Sequence, residues 1–216
     1  MPSTAIREIE AFIQPLMGAV IAHDYKHAHR VRQRAKQIAL AEGYPLLEIV
    51  EAAALLHDIG LSQQPGPHHA AVGAVMANQF LVQQAYFLPD QIAEIVAAIR
   101  DHSSLSGTGR LFEILQDADG LELFGAIGLL RGIASKGYMA DYEPGNIRGS
   151  TWALTADAFS ERFRAGIGVG SYILDQLNFQ ISCYENLHTQ TAKQIAAPLV
   201  AYIRSFILQL EAEVVS

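Results

Sequence analysis

The chain has 216 residues, of which 50% are hydrophobic and 17% are charged, and this composition is typical of a protein with a large buried core. Its net charge of −7 argues against a nucleic-acid polymer as partner, because such polymers bind to basic surfaces. The single cysteine, Cys183, excludes an internal disulfide. We find neither a basic-then-apolar leader nor an uninterrupted apolar run approaching the roughly 18 residues of a membrane span, so we expect a cytoplasmic protein that does not bind membranes.

Apolar residues recur at helical spacing along the first two thirds of the chain, and strand-like alternation of useful length is absent. The pattern predicts helices at residues 3–21, 25–42, 46–58, 68–84, 89–101, 110–116 and 121–133. Asp24 is suited to cap the second of these helices. Proline and glycine mark a firm break at residues 62–67, and residues 103–109 form a second loop. The sequence therefore predicts an all-α fold.

Residues 136–170 differ in composition from the rest, because they are rich in glycine and carry Tyr138, Tyr142 and Trp152. We interpret them as a long excursion or lid with one short helix at residues 155–164. Helical spacing returns at residue 171 and ends with a helix at residues 192–213. The predicted organisation is a helical core at residues 1–135, the excursion at 136–170, and a C-terminal helical extension at 171–216 that packs on the same domain.

One short stretch, AAALLHDIG at residues 52–60, places two polar residues at the end of an apolar helix. Gly60 is predicted to end this helix in the left-handed conformation that glycine accepts. His57 and Asp58 are then buried polar groups that need partners. A small ion could bind both side chains if other helices complete its shell.

Other residues near predicted helix ends supply such ligands, and the set consists of His27, His57, Asp58 and Asp119. Two imidazoles and two carboxylates favour Mn²⁺, Fe²⁺, Co²⁺ or Ni²⁺, and they are also compatible with Zn²⁺ or Mg²⁺. Four protein ligands on an octahedral ion leave two positions open, one for a water nucleophile and one for a substrate oxygen. A metal would also allow an acidic protein to bind a small phosphorylated molecule.

The segments that carry these residues are HDYKHAHRV, AALLHDIG and ILQDADGLELFGAIGLLR. In this order they resemble the HD-domain superfamily of metal-dependent phosphohydrolases, and in particular small stand-alone bacterial members with the segments HD-x-x-H-x-x-RV, AALLHDI and DADRLDALGAIGIAR. The resemblance extends over residues 20–135 and, more weakly, over residues 173–197. It implies an HD-type helical bundle with a C-terminal helical extension. It also implies hydrolysis of a phosphoester or phosphoanhydride, since some similar proteins act on nucleoside triphosphates or deoxynucleotides.

Two positions in DADGLEL bear on catalysis. Gly120 stands where the family has an arginine, so the role of that arginine is lost or is supplied from elsewhere. Glu122 occupies the position of the family's second acid, three residues after Asp119 and on the same helix face. Glu122 or Asp58 is therefore the candidate group that accepts a proton from the attacking water.

Further histidines and cations are candidates for substrate binding. His68, His69 and His102 could hold a second metal or face the substrate, although a histidine at a helix C-terminus is also explained by the helix dipole. His23 and His29 are interpreted as solvated or capping residues, because the HD-x-x-H spacing selects His27. The candidate phosphate-binding residues are Arg30, Arg131 and Lys136, each of which could equally be a solvated surface charge.

We therefore carry two hypotheses from the sequence. The first is a metal-dependent phosphohydrolase acting on a small phosphorylated molecule, with a nucleotide favoured. The second is a ligand-binding or regulatory module that keeps the metal without catalysis, and Gly120 is the feature that supports it. Both hypotheses are compatible with a homo-oligomer.

Overall fold

The computed structural model of the protein describes residues 2–17, 22–66, 68–104 and 107–215. Ten α-helices account for most of this described part of the chain: α1 (Thr4–Ile13), α2 (Tyr25–Ala41), α3 (Leu47–Leu56), α4 (His69–Gln84), α5 (Pro89–Asp101), α6 (Arg110–Gly120), α7 (Gly125–Ser135), α8 (Ala156–Arg164), α9 (Ile173–Ser182) and α10 (Gln190–Val215). Across these residues there is no β-strand, only two isolated bridges between backbone segments. The predicted all-α fold is confirmed.

Contacts within the chain divide it into two compact units, Met1–Asp119 and Gly120–Ser216. In the first unit α3 is the central helix, because its sequence LEIVEAAALL is apolar on nearly every side and residues 49–56 are all buried. Helices α1, α2 and α5 pack against α3, and α4 packs against α5. The predicted boundaries at residues 135 and 170 differ from this division and stay predictions.

Two local predictions for the first unit need correction. The first helix ends at Ile13 rather than continuing to residue 21, and positions 18–21 lie outside the described residues. Helix α3 ends at Leu56, two residues earlier than expected, and a 3-10 turn follows at Ile59–Ser62. Gly60 lies inside that turn and does not have a positive φ, so the predicted left-handed helix stop is wrong.

Gly60 is instead a point of close approach between backbones. A Cβ atom added to it would lie 2.0 Å from the carbonyl oxygen of His69 and 2.5 Å from the amide nitrogen of Gly73. Both of these atoms belong to α4, whose start carries His69. The absence of a side chain at residue 60 therefore lets α4 pass directly over the turn that follows His57 and Asp58.

In the second unit the excursion at residues 136–170 is held by buried polar contacts. The carboxylate of Asp175, which is 1% exposed, accepts hydrogen bonds from the Thr151 hydroxyl at 2.6 Å and from the backbone N–H groups of Ser171 and Tyr172 at 3.0 and 3.1 Å. The short helix predicted at residues 155–164 is α8, whose first turn is capped by the Thr155 side chain. Burial of a fully bonded carboxylate accounts for an ordered excursion despite its many glycines.

Helix α10 places an apolar stripe in the core of the second unit. Its buried residues Ile203 and Ile207 pack with Leu129 of α7 and with Leu174 and Leu177 of α9. By length and composition α10 could also cross a membrane, since its most apolar window has a mean hydropathy of 1.3, a feature that inspection of the sequence did not predict. A core helix of a soluble protein passes the same test, so this is weak evidence for a membrane span.

Candidate metal centre

Three histidines in the first unit share one local geometry. The Nδ1 atoms of His57, His69 and His102 each lie 2.7–2.8 Å from the carbonyl oxygen of the residue three positions earlier. A carbonyl oxygen only accepts hydrogen bonds, so Nδ1 carries a proton, and the lone pair of each ring in its neutral form is on Nε2. Each Nε2 is thereby prepared to act as a metal ligand, and the backbone fixes the orientation of the ring.

The four predicted ligands lie close together, because the imidazoles of His27 and His57 approach both Asp58 Oδ2 and Asp119 Oδ1. The distance from Asp58 Oδ2 to His57 Nε2 is 3.2 Å, and that to His27 Nε2 is 3.4 Å. The two Nε2 atoms are 3.2 Å apart. Asp119 Oδ1 lies 3.3 Å from His27 Nε2 and 3.9 Å from His57 Nε2. Two ligands about 2.1 Å from one ion and at right angles are about 3.0 Å apart, so these spacings suit a single divalent cation.

The other oxygen of Asp58 faces a second pair of imidazoles. Asp58 Oδ1 lies 3.3 Å from His69 Nε2 and 3.6 Å from His102 Nε2, and the two Nε2 atoms are 3.3 Å apart. Asp58 is therefore shared between two groups of histidines, one at each oxygen. His68 differs from this pair, since it is exposed to solvent at the N-cap of α4.

The sequence interpretation missed one member of this cluster. His23 was expected to be solvated or to cap a helix, yet its Nδ1 atom lies 2.7 Å from Asp58 Oδ2. The cap of α2 is Asp24, whose side chain accepts a hydrogen bond from the His27 amide at 2.9 Å. One signal for His23 was present, its position as the first residue of the HD-x-x-H run.

The electrostatics of the cluster favour a cation. Burial alone would raise the pKa of Asp58, but the charge of His57 and hydrogen bonds from the surrounding imidazoles lower this pKa well below its usual range. The hydrogen bond with Asp58 raises the pKa of His69, and it raises that of His102 against the opposing effect of burial. An ionised carboxylate inside a shell of imidazoles attracts a metal ion, which would displace protons from these rings.

Burial divides the ligands into a closed side and an open side. The side chains of His27 and His57 are fully buried and that of Asp58 is 3% exposed, whereas the side chain of Asp119 is 33% exposed. A small molecule can therefore approach the centre along Asp119. The His/Asp cluster is able to hold a metal ion, because the ligand atoms of His27, His57 and Asp119 all lie within 4.8 Å of one another.

The other predicted catalytic and phosphate-binding residues are distributed over both compact units. Arg30 is half-buried on α2, one turn after His27. Glu122 is 4% exposed and belongs to the second unit, where Arg131 Nη1 lies 3.5 Å from its carboxylate and 3.3 Å from its backbone oxygen. The ammonium group of Lys136 lies 5.9 Å from the ring centroid of Tyr138. The guanidinium of Arg131 is thus engaged with Glu122.

The segment that contains this His/Asp cluster is similar to a known protein family. The HD domain family model matches residues 24–123, a span that contains all four predicted metal ligands. This part of the chain is therefore similar to HD domains. HD domains bind divalent metals, and the histidines and aspartates described above form a cluster that could hold such an ion.

Similarity to known proteins extends over nearly the whole length of the chain. YpgQ of Bacillus subtilis (strain 168), an uncharacterized protein, is 26% identical over 212 residues, which cover 96% of this chain and 92% of YpgQ. A predicted HD superfamily hydrolase from an uncultured Thermotogales bacterium is 26% identical with a TM-score of 0.65, covering 96% of this chain and 91% of its own. A protein of Lactobacillus plantarum is 25% identical with a TM-score of 0.73, and the alignment covers 98% of this chain and 97% of the Lactobacillus protein. These similarities support a hydrolase.

Proposed function

We propose that the protein is a divalent-metal-dependent phosphohydrolase that cleaves a phosphoester or phosphoanhydride in a small molecule, with a nucleotide as the favoured substrate. One observation carries the proposal: the Nε2 atoms of His27 and His57 lie next to each other and face both Asp58 Oδ2 and Asp119 Oδ1 at spacings that suit the ligands of a divalent ion. The similarity to HD superfamily hydrolases supports the reaction class.

The four side chains are proposed to hold the ion, for which Mn²⁺, Fe²⁺, Co²⁺ or Ni²⁺ is favoured and Mg²⁺ or Zn²⁺ is compatible with the ligand set. When bound, the ion supplies Lewis-acid polarisation of the phosphoryl group and activation of water. The protein contributes the orientation of the rings through the hydrogen bond of His57 to Ala54. It excludes water on the buried side and leaves the partly exposed side of Asp119 for the substrate.

Proton transfer is assigned to Asp58 or Glu122, and the phosphate contacts to Arg30, Arg131 and Lys136. The low pKa of Asp58 favours its use as a ligand over its use as a base, which strengthens the case for Glu122. YpgQ, which is 22% identical in the structural comparison with a TM-score of 0.66, has been solved in complex with ADP. That complex supports a nucleotide as the first substrate class to test.

A second ion at Asp58 Oδ1 is a further part of the proposal. His69 and His102 present their Nε2 atoms to this oxygen at 3.3 and 3.6 Å, so that Asp58 would bridge two metals. The alternative role of this pair is contact with the substrate, and the exposed His68 is assigned to that role alone. Metal content per chain separates the two roles, since one ion favours substrate contact and two ions favour a bridged pair.

The test uses the purified full chain, elemental analysis and a panel of nucleotides and generic phosphoesters assayed with Mn²⁺, Co²⁺ and Mg²⁺. His57→Ala and Asp58→Ala should each lose the metal and the turnover while the far-UV circular dichroism stays unchanged. The exposed His188 provides the matched control, and His188→Ala should keep both. Full metal content in both site variants would refute the ligand assignment. Tight binding of one compound without turnover would favour the regulatory module that Gly120 suggests.

A further inference from the structure

The shortest polar contact of Asp58 is made by a residue outside the predicted ligand set. We propose that His23 is a positioning residue, which donates its Nδ1–H to Asp58 Oδ2 and holds the carboxylate in the orientation that serves both groups of imidazoles. This inference rests on the proposed function, since it assigns a role within the same metal centre.

His23, His27 and Asp58 also form a group whose ligand atoms could hold a metal ion, but the distances favour a hydrogen-bond donor over a fifth ligand. His23 Nδ1 lies 2.7 Å from Asp58 Oδ2, whereas the Nε2 atoms of His57 and His27 lie 3.2 and 3.4 Å from the same oxygen. Two ligands at right angles on one ion are about 3.0 Å apart or more, as the Nε2 atoms are. A separation of about 2.7 Å is instead the length of a charge-assisted hydrogen bond.

Asp58 needs a hydrogen-bond donor that fixes its side chain, because its two carboxylate oxygens contact different groups of histidines. Oδ2 faces His27 and His57, while Oδ1 faces His69 and His102. The terminal torsion of an aspartate is broad and nearly two-fold, so the two oxygens can rotate or exchange unless one is held. A carboxylate oxygen has two lone pairs, and Oδ2 can therefore accept from His23 while still binding a metal.

The start of α2 places His23 for this task. Asp24 caps the helix, and the ring of His23 then lies edge-on to the ring of His27, with centroids 5.4 Å apart and planes at 82°. The side chain of His23 is 41% exposed, so its replacement does not open the buried core. The contact can therefore be removed without removing a ligand or creating an internal cavity.

The experiment compares His23→Ala with His23→Asn in the full chain after removal of metal. The Nδ2 atom of asparagine is attached to Cγ, as Nδ1 of histidine is, so asparagine keeps a donor near the same place but is a poor metal ligand. We expect His23→Ala to weaken Mn²⁺ and Co²⁺ binding about 10–100-fold in calorimetric titration, and His23→Asn to recover most of this loss. The visible absorption spectrum of bound Co²⁺ should be the same in the wild type, His23→Ala and His23→Asn, because none of the proposed metal ligands has changed. His188→Ala serves as the control and should bind like the wild type.

Two outcomes of the metal titration would overturn the proposal. Loss of affinity in both variants with an altered Co²⁺ spectrum would make His23 a ligand, and unchanged affinity in His23→Ala would give it no role. A wild type that binds no metal would refute the proposed function, and the metal-free protein then provides an independent test. There His23→Ala should lower the melting temperature by about 3–6 °C and His23→Asn should restore it, because a buried carboxylate loses and regains a donor. Equal melting temperatures would refute the hydrogen bond itself.

Discussion

The close approach at Gly60 makes a sharp prediction about stability. In Gly60→Ala the new methyl group would lie 2.0 Å from the His69 carbonyl oxygen, 2.5 Å from the Gly73 nitrogen and 3.0 Å from the Gly73 Cα. All three atoms belong to the backbone of α4, so no side chain can rotate away and the helix itself must move by about 1 Å or more. Overpacking of a core costs about 1–3 kcal/mol, and contacts with rigid backbone place this variant at the upper end. We expect a loss of about 3 kcal/mol, which corresponds to a melting temperature roughly 6–12 °C lower.

The measurement is urea unfolding followed by far-UV circular dichroism, together with a metal titration. Gly137→Ala is the matched control, because the nearest atoms to its new methyl group are at the ordinary contact distances of 3.8 and 3.9 Å. Gly60→Ala should also weaken metal binding, since a displaced α4 carries His69 away from Asp58. A Gly60→Ala protein with wild-type stability and metal affinity would show that the backbones are not in contact, and the argument would fail.

Three further outcomes are expected. Arg32→Ala should cost about 3 kcal/mol in urea unfolding, because the 8% exposed Arg32 side chain pairs with both Glu10 and Glu51. Its loss removes the cation that joins the two carboxylates, while Lys36 stays 3.4 Å from Glu51. A loss below 1 kcal/mol would contradict this interpretation. Asp175→Asn should make residues 136–170 sensitive to limited proteolysis, because an amide cannot accept all three hydrogen bonds that Asp175 receives, and unchanged protection would count against it. Burial raises the pKa of the Cys183 thiol to about 12, so iodoacetamide at pH 8 should leave it unmodified in the folded protein and alkylate it in urea, whereas rapid labelling of the native chain would contradict a buried thiol.

The helices were largely predictable because their signals are local. Helix α5 begins and ends at the predicted residues, Pro89 and Asp101, since a proline at the first position and a single apolar face define it. The short helix predicted at residues 155–164 inside the glycine-rich excursion is α8, and the structure shows that Thr155 caps it. Helix ends without such signals were less certain, and α3 ended two residues early.

The candidate metal centre shows which contacts local sequence patterns do not predict. The order of His27, His57, Asp58 and Asp119 along the chain predicted which residues meet, and the structure brings their ligand atoms together. The division of Asp58 between two groups of imidazoles could not be predicted, because the choice of oxygen is a torsion that neighbours on other helices determine. His23 was missed for a similar reason, since its place at the start of the HD-x-x-H run does not specify a bond to a residue 35 positions away.

By itself, the sequence determined the helical class, the approximate positions of most helices and the residue types that could bind a metal, since periodicity, caps and residue chemistry are properties of short segments. Only the tertiary structure decided that Gly60 is a contact between backbones, that Arg131 engages Glu122 and that His23 reaches Asp58. Contacts of this kind depend on how separate segments pack, and a fraction of an ångström at the crossing changes which atoms meet.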